Sequence, residues 1–273
     1  MSLLKDIYIM YRDLFISAPY FFVLANFIFG LLVGSFLNVV AIRVPLKRSV
    51  ITPPSHCTSC KHRLGIIDLI PVISYLLLGR KCRYCGQPIS AQYAVWEAAA
   101  GLLFAVVSLA YGPSKEWLVA LFFVSILIVI TQTDLRHMLI PDKVVFFGVA
   151  VSFMLRIWNH PLPFSQYIWG MVTGFGLLFL IALVSVAIVK KEAMGGGDIK
   201  LFAFIGLTLG LKLTLLTLFF ACLIGTLFGM VLLSSGVWKR DQYIPFGPYI
   251  ALGALLSLLA GDRLIDWYMG LLV

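Results

Sequence analysis

The sequence predicts an all-α polytopic membrane protein: about eight transmembrane helices, with a cytosolic zinc-binding loop between the first two. Three observations predict it. Hydrophobic residues make up 61% of the 273 positions and charged residues only 12%, against roughly 45–50% and 25% in soluble domains. The apolar residues collect into runs of the roughly 17–25 residues that cross a bilayer core of ~30 Å. The six tryptophans (Trp96, Trp117, Trp158, Trp169, Trp238 and Trp267) all fall near the ends of those runs, where interfacial rings sit. Disorder is excluded, because disordered chains are poor in apolar side chains. The net charge of +9 therefore speaks of topology and not of nucleic acid.

Taken in order, the candidate spans are 19–44, 91–112, 117–133, 144–158, 166–189, 199–211, 213–237 and 244–260. Those at 144–158 and 199–211 are short, as tilted or partly re-entrant segments are. The first run is longer than a signal-peptide core and lacks a small-residue cleavage site, so it reads as a retained helix. Glycines four apart recur within the runs, at Gly30 and Gly34, Gly170 and Gly174, Gly206 and Gly210, and Gly225 and Gly229. Such pairs let helix backbones approach closely.

Orientation follows from the basic residues. With the amino terminus outside, 15 of the 21 Lys and Arg fall in inside segments, including Arg43, Lys47, Arg48, Lys61, Arg63, Arg80, Lys81, Arg83, Lys191, Lys239 and Arg240. Lys5, Arg12, Lys115, Arg156, Lys212 and Arg263 stay outside. Both termini then lie outside and the cysteine loop inside. The chain divides into an outer segment 1–18, a part 19–112 holding the first two spans and the loop 45–90, a part 113–237, and a carboxy-terminal helix and tail 238–273.

The loop carries Cys57-x-x-Cys60 and Cys82-x-x-Cys85. Two such pairs can present four thiolates to one tetrahedral metal, most often Zn²⁺ in a closed, structural site. Gly86 suits the tight turn that follows the second pair. Iron, a pair of disulfides and unligated thiols are the alternatives, and a cytosolic loop disfavours disulfides. Cys222 lies alone in a span and reads as a core filler.

Acidic residues are few, with 12 Asp and Glu in all, and one at membrane depth is by default a functional candidate. Asp134 closes the third span, and Asp198, after Gly195, Gly196 and Gly197, opens the sixth, both at the inner edge. Two close carboxylates share a proton, so one can act as base on a water while the other donates to a carbonyl. Glycines ahead of Asp198 suit the close approach of an extended peptide backbone. Helix capping is the other reading of both aspartates. Glu97 and Arg43 sit at one depth in the first two spans, where a structural ion pair is the simplest expectation.

These residues carry a resemblance. Gly195-x-Gly197-Asp198 with Lys200, Asp134 followed by Ile140-Pro141-Asp142, the paired Cys-x-x-Cys loop, Gly34-Ser35-Phe36-Leu37-Asn38 with Arg43 and Pro45, and Ile89-Ser90 with Tyr93 and Glu97 together resemble the type IV prepilin peptidase family. The resemblance covers roughly residues 30–236. It implies a bifunctional enzyme of the bacterial inner membrane, both termini periplasmic. Such an enzyme removes the basic leader of type IV prepilins and type II secretion pseudopilins as an aspartic protease. It then methylates the new amino terminus, usually Phe, with S-adenosylmethionine. Asp134 and Asp198 match the catalytic pair, and Asp142 reads as a helix start. No dinucleotide-type glycine fingerprint marks the methyl-donor site, so Asn38, Arg43 and Glu97 are candidates for it only through the resemblance. A multi-span transporter with paired carboxylates is the rival reading, and a non-catalytic membrane scaffold is a third.

Overall fold

A computed structural model describes residues 13, 16–190, 195–235 and 244–271. Most of the outer segment 1–18, together with Lys191, Trp238, Lys239 and Arg240, lies outside the described residues. Among the described residues the chain is helical: α1 (Pro19–Arg43), a short α2 (Ile73–Leu77), α3 (Ala91–Tyr111), α4 (Lys115–His137), α5 (Asp142–Trp158), α6 (Phe164–Val189), α7 (Gly196–Leu209), α8 (Leu211–Ser234) and α9 (Gly247–Gly270). Each predicted span falls on a helix among the described residues. Six of them, α1, α3, α4, α6, α8 and α9, are long and apolar enough to cross a membrane. The other two, with 17 and 14 residues, reach only ~26 and ~21 Å at 1.5 Å per residue. The expected eight spans are thus six helices of full length and two short ones.

The helix contacts divide the chain into two compact units, residues 1–129 and 130–273. In the first, α1 packs along α3. Any Cβ at Gly30 would stand 2.8 Å from the Ala100 carbonyl, and one at Gly34 would stand 2.7 Å from the Ala100 Cβ. The small-residue stripe is therefore the α1–α3 seam. Trp117 packs at a tilt against Phe22, with ring centroids 5.3 Å apart, and donates to the Ser108 hydroxyl at 3.0 Å.

In the second unit α7 is the central element, packed on α5, α6, α8 and α9. Ten of its 14 residues are buried. Gly170 of α6 and Gly206 of α7 meet backbone to backbone, with no room for a side chain on either. By contrast, Gly229 of the fourth glycine pair faces open space. The far end of α7 is held by Arg156, which the sequence suggested only as an outside charge. Its guanidinium is buried, donates twice to the Thr208 carbonyl (2.9 and 2.6 Å), and lies 4.6 Å over the Tyr167 ring. A cation on the last carbonyls of a helix complements its dipole.

Candidate active site

The loop of the first unit is built from two matching turns. Cys57 N–H donates to the His62 carbonyl (3.0 Å), and Lys61 N–H donates back to the Cys57 carbonyl (3.0 Å). Cys82 repeats this with Gln87 (2.8 Å) and Gly86 (2.9 Å). The fifth residue of each turn is left-handed, with φ 61° at Lys61 and 70° at Gly86. Glycine adopts that conformation freely, which accounts for Gly86.

All four sulfurs lie within 4.8 Å of one another, and Cys57 and Cys85 Sγ are 3.9 Å apart. The edge of a tetrahedron with Zn–S bonds of ~2.3 Å is roughly 3.8 Å. The backbone amides of Cys60 and Ser59 hold the Cys57 thiol down to about 6. Cys85 accepts the Gln87 amide, yet desolvation and the neighbouring thiols drive it up to about 11. Four thiols so crowded ionise together only around a cation, so the donor set fits a structural zinc ion.

Asp68 braces the loop. It accepts from the Gly65 amide (3.0 Å) and the Tyr84 hydroxyl (3.1 Å), and it pairs with Arg83 (2.9 Å). Burial raises its carboxyl, but the Gly65 amide, Tyr84 and Arg83 outweigh that and leave it below the usual range. Purified protein is expected to carry about one zinc per chain, and Cys57→Ser or Cys85→Ser to lose it, as elemental analysis would read. Full activity in metal-free protein would refute the assignment.

Both aspartates lie in the second unit. Asp134 sits in the last turn of α4, which Met138 ends with φ 49°. Asp198 is the third residue of α7, close enough for the charge on Asp134 to act on it. Both are largely buried. The Gly195 amide donates to the Asp198 carboxylate, half of a capping box, so Asp198 also caps α7. Asp134 Oδ2 accepts the Gly247 amide at 2.8 Å. That amide is one of the orphan donors at the start of α9.

Of the three glycines before Asp198, Gly197 is packed on Ile140, where a Cβ would stand 2.7 Å away, while Gly195 and Gly196 are exposed. Asp142 begins α5 and is paired with Lys200 at 2.8 Å.

The remaining candidates line a cavity of about 510 Å³ in the first unit, between α1, α3 and the cysteine loop. Asn38 and Glu97 are buried there. Asn38 donates to the Tyr93 carbonyl (3.1 Å), while its Oδ1 has no partner. Glu97 accepts the Val72 amide (2.8 Å) and a hydrogen bond from Ser35. The expected ion pair with Arg43 is not made; Arg43 donates instead to the Ser49 carbonyl (3.1 Å). Val72 offers its amide from a strained γ-turn at φ 61°, costly for a β-branched residue.

Sequence reasoning missed Gly247, Val72 and Asp68. The Gly247-Pro248 pair opening the last helix was a signal for the first, since glycine followed by proline marks a helix start with backbone exposed. Val72 and Asp68 carried no such mark.

Residues 28–111 match the family described as the Bacterial Peptidase A24 N-terminal domain, and residues 121–230 match the Type IV leader peptidase family. Curated proteins named prepilin leader peptidase/N-methyltransferase align along nearly the whole chain. The one from Bacillus subtilis (strain 168) is 38% identical across 89% of this chain and 96% of its own. That of Pseudomonas putida is 32% identical over 93% and 96%, and that of Pseudomonas aeruginosa 31% over 94% and 97%. No solved structure matches. The chain belongs to the type IV leader peptidase family.

Proposed function

We propose that this protein is a bifunctional membrane enzyme. It cleaves the leader from type IV prepilins and type II secretion pseudopilins as an aspartic endopeptidase, and methylates the amino terminus so exposed with S-adenosylmethionine. The observation that carries the peptidase reading is that Asp134 and Asp198 are both buried in one helical unit and lie within electrostatic reach of each other, in a chain of this family. Family membership leaves the transporter and scaffold readings without support.

The chemistry follows from the pair. One carboxylate takes a proton from a water whose oxygen attacks the scissile carbonyl, while the protonated partner donates to the carbonyl oxygen. Collapse of the tetrahedral intermediate breaks the C–N bond, and the leaving amine takes a proton from the pair. Gly247 fixes one oxygen of Asp134, so that carboxylate does not have to be oriented during the reaction. The exposed backbone at Gly195 and Gly196 gives an extended substrate strand a place to lie beside Asp198. S-adenosylmethionine, when bound, supplies the methyl group.

The distribution of basic residues supports an inner-membrane orientation with both termini periplasmic and the zinc loop and aspartates cytosolic. The leader of a prepilin is then on the enzyme's side of the bilayer.

Incubating the purified chain in detergent with a candidate prepilin and weighing the product tests both activities together. Loss of the leader plus the mass of one methyl group is expected. A cleavage-dead variant should leave uncleaved, unmethylated substrate, because the amine to be methylated does not yet exist. Intact substrate after incubation with active-site-competent protein would overturn the proposal.

A further inference from the structure

Between the two cysteine turns the chain carries an apolar stretch, residues 66–78, that neither aspartate explains. It folds as a 3₁₀ turn (Ile67–Leu69) and the short α2, far too brief to cross a bilayer. One face is already occupied, since Ser74, Tyr75 and Leu78 line the cavity of the first unit. The other face is bare. Ile66 is 88% exposed, Leu77 81%, Ile67 63% and Leu76 61%, with Ile73 half-exposed among them. Large aliphatic side chains bared together in this way mark a surface that binds something, unlike those scattered singly.

The stretch is tied to the spans well inside their ends. Val72 donates its amide to Glu97 at 2.8 Å, and Glu97 is the seventh residue of α3, ~9 Å along the axis from Ala91. The same carboxylate accepts from Ser35, which lies ~12 Å along α1 from Arg43 at its end. Trp96 adjoins Glu97, and tryptophan is the residue of the membrane interface. Both ends of the stretch are basic. From residue 61 to 83 the only acid is Asp68, and Arg83 pairs with it. Lys61, Arg63, Arg80 and Lys81 are exposed and, among the described residues, make no ion pair.

We propose that residues 66–77 are an interfacial anchor seated in the bilayer leaflet on the loop's side. Ile66, Ile67, Leu76 and Leu77 enter the boundary of the acyl chains, and Arg63, Arg80 and Lys81 take the phosphates of acidic phospholipids. Aliphatic side chains flanked by cations are the chemistry of a segment lying in an anionic interface. A second copy docked face to face would instead set the same cations against each other. The proposal needs only that α1 and α3 span the bilayer, and it depends on neither enzymatic reading. Lipid then backs the wall of the cavity that Ser74 and Tyr75 line.

Photocrosslinking of the full chain tests this, in vesicles of equal parts phosphatidylcholine and phosphatidylglycerol. A benzophenone side chain replaces Leu77 or, separately, Ile66, and the adducts are weighed after irradiation. The same group in place of Leu32, exposed on the α1 span, is the control that must label lipid. Phospholipid adducts are expected from both loop positions. Among them phosphatidylglycerol should exceed phosphatidylcholine by about threefold or more, as basic residues near a bilayer surface attract acidic lipid. Arg63→Gln, Arg80→Gln and Lys81→Gln combined should bring the two lipids back to equal yield.

Metal content equal to that of the unmodified chain, measured on the same samples, reports that the loop is folded. Absence of adducts at both loop positions, while position 32 labels lipid, would place this face in water and overturn the anchor. Adducts to protein, whether to a second copy or to the same chain, would make it a protein interface and overturn the anchor equally. Equal yields of the two lipids with the basic residues intact would overturn the phosphate contacts.

Discussion

Asp134→Asn and Asp198→Asn should each lower prepilin cleavage by roughly 10³-fold or more. Acid–base participation alone is typically worth ~10²–10⁴, and the pair supplies both roles. Asn preserves volume and hydrogen bonding yet can neither accept a proton from water nor return one to the amine. The double variant should be hardly slower than either single one, because residues that act as a unit are not additive. Zinc content should be unchanged, since the cysteine cluster lies in the other unit. The pH–rate profile of the wild type should show two apparent pKa values that belong to the pair jointly. Cleavage by either single variant at a rate near wild type, followed by mass spectrometry, would refute the dyad.

Gly247→Ala is expected to be nearly as severe for a different reason. A Cβ there would stand 2.7 Å from Asp134 Oδ2 and 3.1 Å from its Cγ. Either the carboxylate turns away or α9 backs off, and in both cases the 2.8 Å hydrogen bond is lost. Displacement of a catalytic group by about 1 Å costs on the order of 10²-fold, so kcat for cleavage should fall about that far with KM little changed. Methylation of a peptide that already presents a free amino-terminal Phe should persist.

Gly253→Ala, in the same helix, separates positioning from packing. A Cβ at that position meets the Ala221 amide and the Thr217 carbonyl, each at 2.8 Å, and touches neither aspartate. It should lower the melting temperature while kcat stays near wild type. Equal loss of kcat in the two variants would make Gly247 a packing residue only.

The helices were readable because membrane spans write themselves in long apolar runs. The starts of α1, α3 and α5 fall within two residues of their expected places. The metal cluster was readable too, since Cys-x-x-Cys spacing constrains geometry locally. Asp134 and Asp198, 64 positions apart, could be paired only by counting helices and assuming a common depth.

What the sequence could not display is the third partner. Gly247 stands 113 positions from Asp134, and its contribution is a backbone amide, which every non-proline residue owns. The fate of Glu97 was equally hidden. Shared depth with Arg43 suggested an ion pair, but depth says nothing of which way a side chain turns about its helix. Arg156 was read only as an outside charge, and its second role, a buried cap on the end of α7, was hidden for the same reason.

The brevity of α7 bears on how the enzyme is made. At 14 residues, with Asp198 and Lys200 in its first two turns, it is a poor substrate for insertion as an independent segment. Its neighbours in sequence, α6 and α8, are long and largely exposed to what surrounds them, so each can enter lipid by itself. The helix that carries Asp198 is held instead by its packing, with Gly170 and Gly206 closed on each other. If α7 settles only once both neighbours are seated, proteolytic competence arrives with completed assembly.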